Sequence, residues 1–271
     1  MVATSTLTCL VPVQHAQADN ATAAAKPPAR KQNHFDTFAG ADVGTKHWLV
    51  YSGATIAPFS DVHQNGVRLR VSGGYGGYQY KSFRYVDRPT SQSFDVTTNY
   101  MEALAGYQQK IGNLTAKAFV GVTQIDHAIA PVDPGNRVNG SQFGVKGTVE
   151  LWLDIADDWY ASLDGSYTTA HETRNARLRI GHRLQPNFSI GLEARLNQDA
   201  QADFKLSDEE DAVFRQEPLD YALIGVFGRY EWSMGEVSAS IGLNASDVET
   251  TISNGDSDPT VYGTINTLFR F

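Results

Sequence analysis

The sequence predicts an all-β protein: an antiparallel transmembrane β-barrel of about twelve strands in a bacterial outer membrane, with both termini periplasmic. Three observations support this fold class. Apolar and polar residues alternate with a period of two through most of the chain, the connections between these segments alternate between long and short, and the chain starts with an export-type segment and ends in Phe. Such alternation, in segments of about ten residues between turns, is typical of outer-membrane barrels.

Composition excludes several other classes. The 271 residues contain 12 Tyr, 13 Phe and 24 Gly but a single cysteine, Cys9, which excludes a disulfide scaffold and a cysteine-based zinc site. The formal net charge of -8 argues against nucleic-acid binding, which normally requires a basic surface. No apolar run approaches the roughly 18 residues of a transmembrane helix.

The N-terminus is expected to be an export signal followed by a linker. An apolar stretch runs from Val2 to Val13 and precedes Ala16-Gln17-Ala18, a small-x-small cleavage pattern, although no Lys or Arg precedes it. We therefore expect a signal peptide at 1–18, a mobile periplasmic extension at 19–34 and the barrel at 35–271. A lipoprotein modified at Cys9, or a disordered tail on a cytosolic protein, are the alternatives.

The strands are predicted from the alternation itself. In Gln142 to Asp154, apolar residues and glycine occupy every second position from Phe143 to Leu153, so each set lines one face of a strand. Similar segments are expected near 35–43, 47–57, 67–79, 95–109, 113–126, 140–155, 159–172, 174–184, 188–198, 218–231, 236–249 and 260–271.

The connections predict which way the barrel is oriented. From the third strand onward, long segments at 80–94, 127–139, 199–217 and 250–259 alternate with short ones such as Gln185-Pro186-Asn187. Outer-membrane barrels have short periplasmic turns and longer extracellular loops, so an even strand count leaves both termini in the periplasm. The alternative is a soluble secreted β-sandwich or lipocalin-like barrel with its apolar face packed inward.

The C-terminal segment strengthens the membrane interpretation. Residues Val261 to Phe271 alternate and end in Phe, with Phe269 two positions earlier. This ending resembles the signal by which the barrel-assembly machinery recognises its substrates.

If the apolar set faces outer-membrane lipid, the polar set faces the lumen. The assigned inward charges are nine basic and five acidic: Arg68, Arg70, Lys117, Lys146, Arg177, Arg179, Arg183, Arg195 and Arg270, with Glu102, Glu150, Asp154, Asp164 and Glu193. A lumen with net positive charge and acidic loops is therefore expected.

Counting back from the short turns predicts the register of these charges. The pairs expected are Arg179 with Glu193, Arg177 with Arg195, and Glu150 with Asp164, giving a band of Glu150, Asp164, Arg179 and Glu193 across four strands. Such a band would either select a hydrophilic solute, or fill a narrow barrel and hold it rigid.

Aromatic residues offer a second candidate site. Trp152 and Tyr160 fall on inward-facing sets, where they could stack on sugar rings. The tyrosines of the glycine-rich segment 73–80 suit a membrane-interface girdle, with sugar stacking as the alternative. The sequence has no Gly-x-Ser-x-Gly elbow and no close metal-ligand spacing among its seven histidines, so we expect no catalytic residues, no metal and no cofactor.

The central region resembles a known family, the cellulose-biosynthesis proteins of the BcsS type found in Gram-negative bacteria. The resemblance rests on Asp133 to Gly140, Gly144-Val145-Lys146-Gly147 and Glu150-Leu151-Trp152-Leu153, with support from segments between about Phe35 and Ala194. It implies a part in cellulose synthesis or secretion at the cell envelope. It implies no catalytic residues.

Three functional hypotheses remain open at this point. The first is a porin-like conduit or an accessory scaffold for cellulose export, which would contact the secretion machinery. The second is a non-conducting barrel whose outer loops bind a polysaccharide such as cellulose, or a protein partner. The third is a general porin for small solutes.

Overall fold

A computed structural model describes most of the predicted barrel. The residues it describes are 33–45, 47–86, 88–133, 136, 138–198, 203–205, 213–215, 221–244 and 261–271. The predicted signal peptide at 1–18 and nearly all of the predicted extension at 19–34 lie outside these residues. The last two residues of that extension, Asn33 and His34, are hydrogen-bonded to the barrel.

The described chain is built almost entirely from β-strands. They are β1 (Phe35–Gly44), β2 (His47–Ile56), β3 (Gly66–Val86), β4 (Arg88–Ile111), β5 (Leu114–Ala130), β6 (Gly140–Asp154), β7 (Trp159–Thr168), β8 (Arg174–Gln185), β9 (Phe188–Gln198), β10 (Asp203–Lys205), β11 (Val213–Arg215), β12 (Tyr221–Trp232), β13 (Gly235–Asn244) and β14 (Val261–Arg270). A single 3₁₀ turn, Ala170–Glu172, lies between β7 and β8. No described helix is long and apolar enough to span a membrane.

Twelve of these strands form one closed antiparallel barrel, which confirms the predicted fold class and strand number. Each barrel strand pairs with its sequence neighbours, β9 pairs with β12, and β1 closes the circle against β14 from Asp36–Arg270 to Gly44–Tyr262. Strands β10 and β11 form a separate two-stranded sheet within the long connection after β9.

The outer surface of the barrel is apolar. Large side chains on alternate positions stand exposed there, for example Met101, Val120, Leu192 and Ile241. Exposed aromatic residues lie near both ends of the strands, and Trp159 and Tyr167 on β7 are eight residues apart, or about 26 Å along the strand. A lipid-facing band between two aromatic girdles is the signature of a transmembrane barrel, and such barrels belong to the outer membrane.

The connections divide the barrel into two ends. Short links after β4, β6, β8 and β12 lie at one end, here called the turn end, together with the start of β1 and the end of β14. The other end, here called the loop end, carries the connections after β1, β3, β5, β7, β9 and β13. The turn at Gly112 and Asn113 is tight because Gly112 adopts a φ of +59°, which glycine reaches without strain.

Three connections differ from the prediction. The expected loop at 80–94 is largely strand, because β3 continues to Val86 and β4 begins at Arg88, and β5 continues to Ala130. The strand expected to reach residue 172 ends at Thr168. The alternation of buried and exposed positions continues through Tyr80, Phe94 and Ile129, beyond the residues at which the predicted strands end.

Candidate functional site in the barrel interior

The interior of the barrel is filled with buried charged side chains. Nine basic and eight acidic residues are buried at inward strand positions of the described chain: Arg68, Arg70, Lys117, Lys146, Arg177, Arg179, Arg195, Arg229 and Arg270, with Asp36, Asp42, Glu102, Glu150, Asp154, Asp164, Glu193 and Glu236. Among the described residues the basic excess is therefore one charge, smaller than the predicted excess of four. The sequence reasoning missed Arg229, Asp36, Asp42 and Glu236, although each lies at an inward position of an alternating strand.

Glu193 on β9 is the centre of the largest cluster. Its carboxylate accepts hydrogen bonds from Arg177 (2.6 Å) and Arg179 (2.5 Å) on β8 and from Arg195 (2.7 Å) on its own strand. The hydroxyls of Ser240 and Tyr262 donate to the same carboxylate from β13 and β14. One carboxylate thus joins β8, β9, β13 and β14 through the lumen, although β12 lies between β9 and β13 in the barrel wall.

A second cluster lies on the other wall. Glu150 on β6 accepts from Arg70 Nη1 across the lumen at 2.5 Å and lies 3.5 Å from Lys117 Nζ. The Arg70 guanidinium also lies over the Phe119 ring, 4.0 Å from its centroid. A buried carboxylate between two cations and an aromatic face is well compensated for the loss of water.

Lys146 belongs to a third, separate pair. Its Nζ donates to Glu102 at 2.6 Å, and the Ser72 hydroxyl donates to the other oxygen of Glu102. This pair ties β3, β4 and β6 together.

The predicted register is observed at all three pairs. Arg179 lies opposite Glu193, Arg177 opposite Arg195, and Glu150 opposite Asp164. The continuous band was drawn incorrectly, however, because Asp164 lies opposite Arg177, and Arg179 lies opposite Ser162. The row through Glu150 and Asp164 therefore continues to Arg177 and Arg195, while Arg179 reaches Glu193 from the neighbouring row.

Trp152 and Tyr160 both point inward and stack on each other. Their ring centroids are 4.3 Å apart with an interplanar angle of 17°. The Arg229 guanidinium lies 4.7 Å from the Trp152 ring centre, and Arg183 lies 5.0 Å from that of Tyr160. Both rings are fully buried, so stacking on a sugar stays a prediction that requires these arginines to move.

Charged residues around this stack close the turn end. Arg229 donates to Glu236 at 2.5 Å and lies 3.0 Å from Glu231, and Arg270 reaches Glu236 from β14. Arg183, which is less buried than the other inward arginines, donates to Asp154 at 2.5 Å.

The β2–β3 connection, residues 57–65, covers another part of the turn end. Arg68 donates to Ser60 Oγ and to the carbonyl oxygens of Asp61, Val62 and Gln64, and Gln108 donates to two of the same carbonyls. Val62 is buried beneath them. We call residues 57–65 the inner plug.

Asp61 fastens the chain before β1 to the inner plug. Its carboxylate accepts from the backbone amides of Asn33 and His63, both at 2.8 Å. Although burial acts to raise the pKa of Asp61, these amide donors and the His63 side chain outweigh it and hold the pKa below its usual value.

An apolar and aromatic cluster fills the loop end. Tyr78, Tyr80, Phe94, Tyr100 and Ile129 are among its buried members, and Tyr80 stacks on Phe94 at 5.0 Å. Of the three tyrosines in the glycine-rich segment, Tyr75 alone points outward, as a girdle residue would. Tyr78 and Tyr80 point inward, which corrects the girdle interpretation for both of them.

The β5–β6 connection is held against this cluster. Tyr80 Oη donates to Asp133 Oδ2 at 2.7 Å and accepts from Asn136 Nδ2 at 3.0 Å. Val138 is buried beside it. The motif at 133–140, singled out in the sequence, therefore helps to cover the loop end of the lumen.

Phe269 and Phe271 both lie on the outer surface at the turn end. Phe269 packs edge-on against Trp232 at 5.8 Å, and Phe271 lies beside Phe35 at the seam between β14 and β1. Both are exposed and accessible. Their role as an assembly signal stays a prediction.

Comparison with known proteins identifies one family and several similar solved structures. The family model described as cellulose biosynthesis protein BcsS matches residues 37–205. No curated protein matches the chain.

Among solved structures, the KdgM porin in complex with disordered oligogalacturonate is 8% identical, with a TM-score of 0.48 over 87% of this chain and 99% of that one. The transport unit of the autotransporter AIDA-I from Escherichia coli is 12% identical, with a TM-score of 0.48 over 92% and 93%. The translocator domain of NalP from Neisseria meningitidis is 12% identical, with a TM-score of 0.47 over 88% and 89%.

Proposed function

Because the chain belongs to the cellulose biosynthesis protein BcsS family, we propose that it serves cellulose biosynthesis as a non-conducting accessory barrel of the outer membrane. In this proposal the barrel is anchored in the outer membrane and exposes its loop end, which contacts the polymer or the secretion machinery. The proposal assigns it no catalytic step.

The observation that carries the proposal is the state of the lumen. A porin leaves its inward charges in a water-filled channel, where they act on passing solutes. Here the inward charges are buried, and Glu193, Glu150 and Glu236 are each bonded to arginine side chains from other strands. A glucan chain or a small solute would have to displace these ion pairs, and breaking a buried pair costs about 3–5 kcal/mol.

The two ends support the same conclusion. The inner plug covers part of the turn end and the aromatic cluster fills the loop end. A conduit would need both to move at once, whereas an anchoring barrel needs a rigid interior. The structure therefore gives less support to the conduit and general-porin hypotheses than to the hypothesis of a non-conducting barrel.

Deletion and complementation test the proposal in cells. Deleting the gene should change the amount or the fibre organisation of extracellular cellulose, and the wild-type gene should restore it. Uptake of small hydrophilic solutes across the outer membrane should be the same with and without the protein. Unchanged cellulose would contradict the cellulose role, and slower uptake in the deletion strain would contradict the non-conducting role.

A further inference from the structure

The outward face of the barrel changes character near the loop end of β3 to β6. Exposed polar side chains there bond to one another: Gln79 Nε2 donates to Asp95 (2.7 Å), Asn99 Nδ2 to Asp126 (3.4 Å) and Gln124 Nε2 to Ser141 (2.9 Å). Carboxylates and amides facing hydrocarbon would be costly, so this part of the wall stands above the lipid. From Tyr75 to Val86, β3 extends about 36 Å along its length.

These polar residues form two rows that run across the strands. Gln79 and Asp95 are register partners in the upper row, nearer the strand tips. Asn99, Asp126 and Ser141 form the lower row, also as direct partners. The rows are four residues apart along β4, about 13 Å.

Small side chains form the floor between the two rows. Gly77, Thr97 and Ala128 are register partners on β3, β4 and β5. The result is a shallow groove with a low floor and hydrogen-bonding walls. We call it the outer groove.

An exposed tryptophan lies at one end of the outer groove. Trp48 on β2 is the partner of Gly77, and its indole lies across this glycine so closely that an added Cβ would be 3.3 Å from Nε1. Tyr75, half exposed, meets Trp48 edge-on at 5.5 Å. A sugar ring carries hydroxyls around its edge and C–H groups on its faces. It can therefore stack on the aromatic platform while its hydroxyls bond to the neighbouring amide and carboxylate groups.

Charge decides between polymer classes. The described members of the outer groove include Asp95 and Asp126 and no basic side chain. A phosphate- or carboxylate-bearing glycan would therefore be repelled, whereas neutral hydroxyls can donate to both carboxylates.

We propose that the outer groove is a binding site for a neutral polysaccharide chain, with Trp48 as the stacking platform and Asp95, Asn99 and Asp126 as hydrogen-bonding partners. This inference rests on the proposed function and deepens it by naming the surface that meets the polymer. It places the polymer on the outside of the wall, which leaves the lumen closed.

Binding of the purified full-length barrel to cellohexaose and to amorphous cellulose tests the proposal. The variant Trp48→Ala removes the platform, and Thr97→Arg fills the floor at a residue that makes none of the hydrogen bonds described above. We expect each to weaken binding about fivefold or more, in the range that an aromatic contact contributes. Trp159→Ala is the matched control, because Trp159 is exposed to the same extent as Trp48 (44% and 43%) but lies at the turn end.

Each outcome has a defined meaning. Heat-modifiable migration on a gel shows that each variant is folded before binding is measured. Absence of binding by the wild type, equal binding by Thr97→Arg, or an equal loss in Trp159→Ala would each overturn the groove. If deletion of the gene alters cellulose in cells while the groove variants bind normally, the inference fails and the proposed function stands.

Discussion

Single carboxylates hold the interior of this barrel together. Glu193 illustrates the principle: three arginines converge on one buried carboxylate. The attraction and the desolvation cost of such a cluster nearly offset each other when it is complete. Removing one member leaves the desolvation cost of the remaining charges without the attraction that offset it.

Glu193→Ala should therefore lower the stability of the folded barrel strongly. It leaves three buried guanidinium groups without their shared acceptor, and we expect a loss of about 3 kcal/mol or more. The temperature at which the folded form converts to the unfolded form on a gel should fall. Asp157→Asn, at an exposed turn residue, should change it little, and equal effects would contradict the role of the cluster.

Residue-scale prediction from sequence had a clear limit. Strand periodicity gives the face on which a side chain lies, and the short turn at Pro186 gave the register of Arg177, Arg179, Glu193 and Arg195 correctly. Periodicity does not give the reach of a long side chain, which is how Arg70 on β3 meets Glu150 on β6. It also did not reveal that Arg229 covers Trp152.

At the scale of elements, the connections are as informative as the strands. The short turns were located well because Gly, Pro and Asn mark them locally. The inner plug was not recognised, because its backbone carbonyls are held by the side chains of Arg68 and Gln108 and its nine residues carry no local signature. The motif at 133–140 was recognised by resemblance, and the structure adds its contact with Tyr80.

Arg68→Ala should loosen the inner plug. Arg68 donates to three carbonyl oxygens of the segment. In the variant the carbonyl of Asp61 loses this donor, at about 1–3 kcal/mol, and those of Val62 and Gln64 keep only Gln108. Hydrogen exchange at the Val62 amide should accelerate by at least tenfold, while that of central strand amides stays slow. Unchanged exchange at Val62 would show that Arg68 does not hold the segment.

The contact between Asp61 and Asn33 should depend on pH. The pKa of Asp61 lies below its unfolded value, so the contact is fully formed above about pH 4 and is lost as the pH falls through the lowered pKa. Exchange at the Asn33 amide should rise over that window, and Asp61→Asn should show no such transition. A transition well above pH 4, or an unchanged transition in Asp61→Asn, would contradict the role of the Asp61 carboxylate.

Tyr80→Phe should release the β5–β6 connection without disturbing the ring stack on Phe94. The variant loses one bond to Asp133 and one from Asn136, so we expect local protection to fall by about 1–3 kcal/mol. Limited proteolysis near residues 131–139 should become faster, with barrel migration on a gel unchanged. Equal proteolysis rates would mean that the aromatic cluster holds the connection alone.

The described barrel combines a lipid-facing exterior with an interior of buried, ion-paired side chains. The mean hydropathy of the chain, -0.32, reflects both faces at once, because every second residue of a spanning strand is polar. The fold and the strand number followed from that alternation together with the turn spacing. Whether the lumen is open depends on how side chains from twelve strands meet in three dimensions, which no local pattern contains.

Single-channel recording in planar bilayers tests the closed lumen most directly. The purified barrel should give no defined current steps, under conditions in which a general porin in the same membrane gives them. Regular steps of constant size from the wild-type protein would show that the ion-paired interior opens, and would contradict the account.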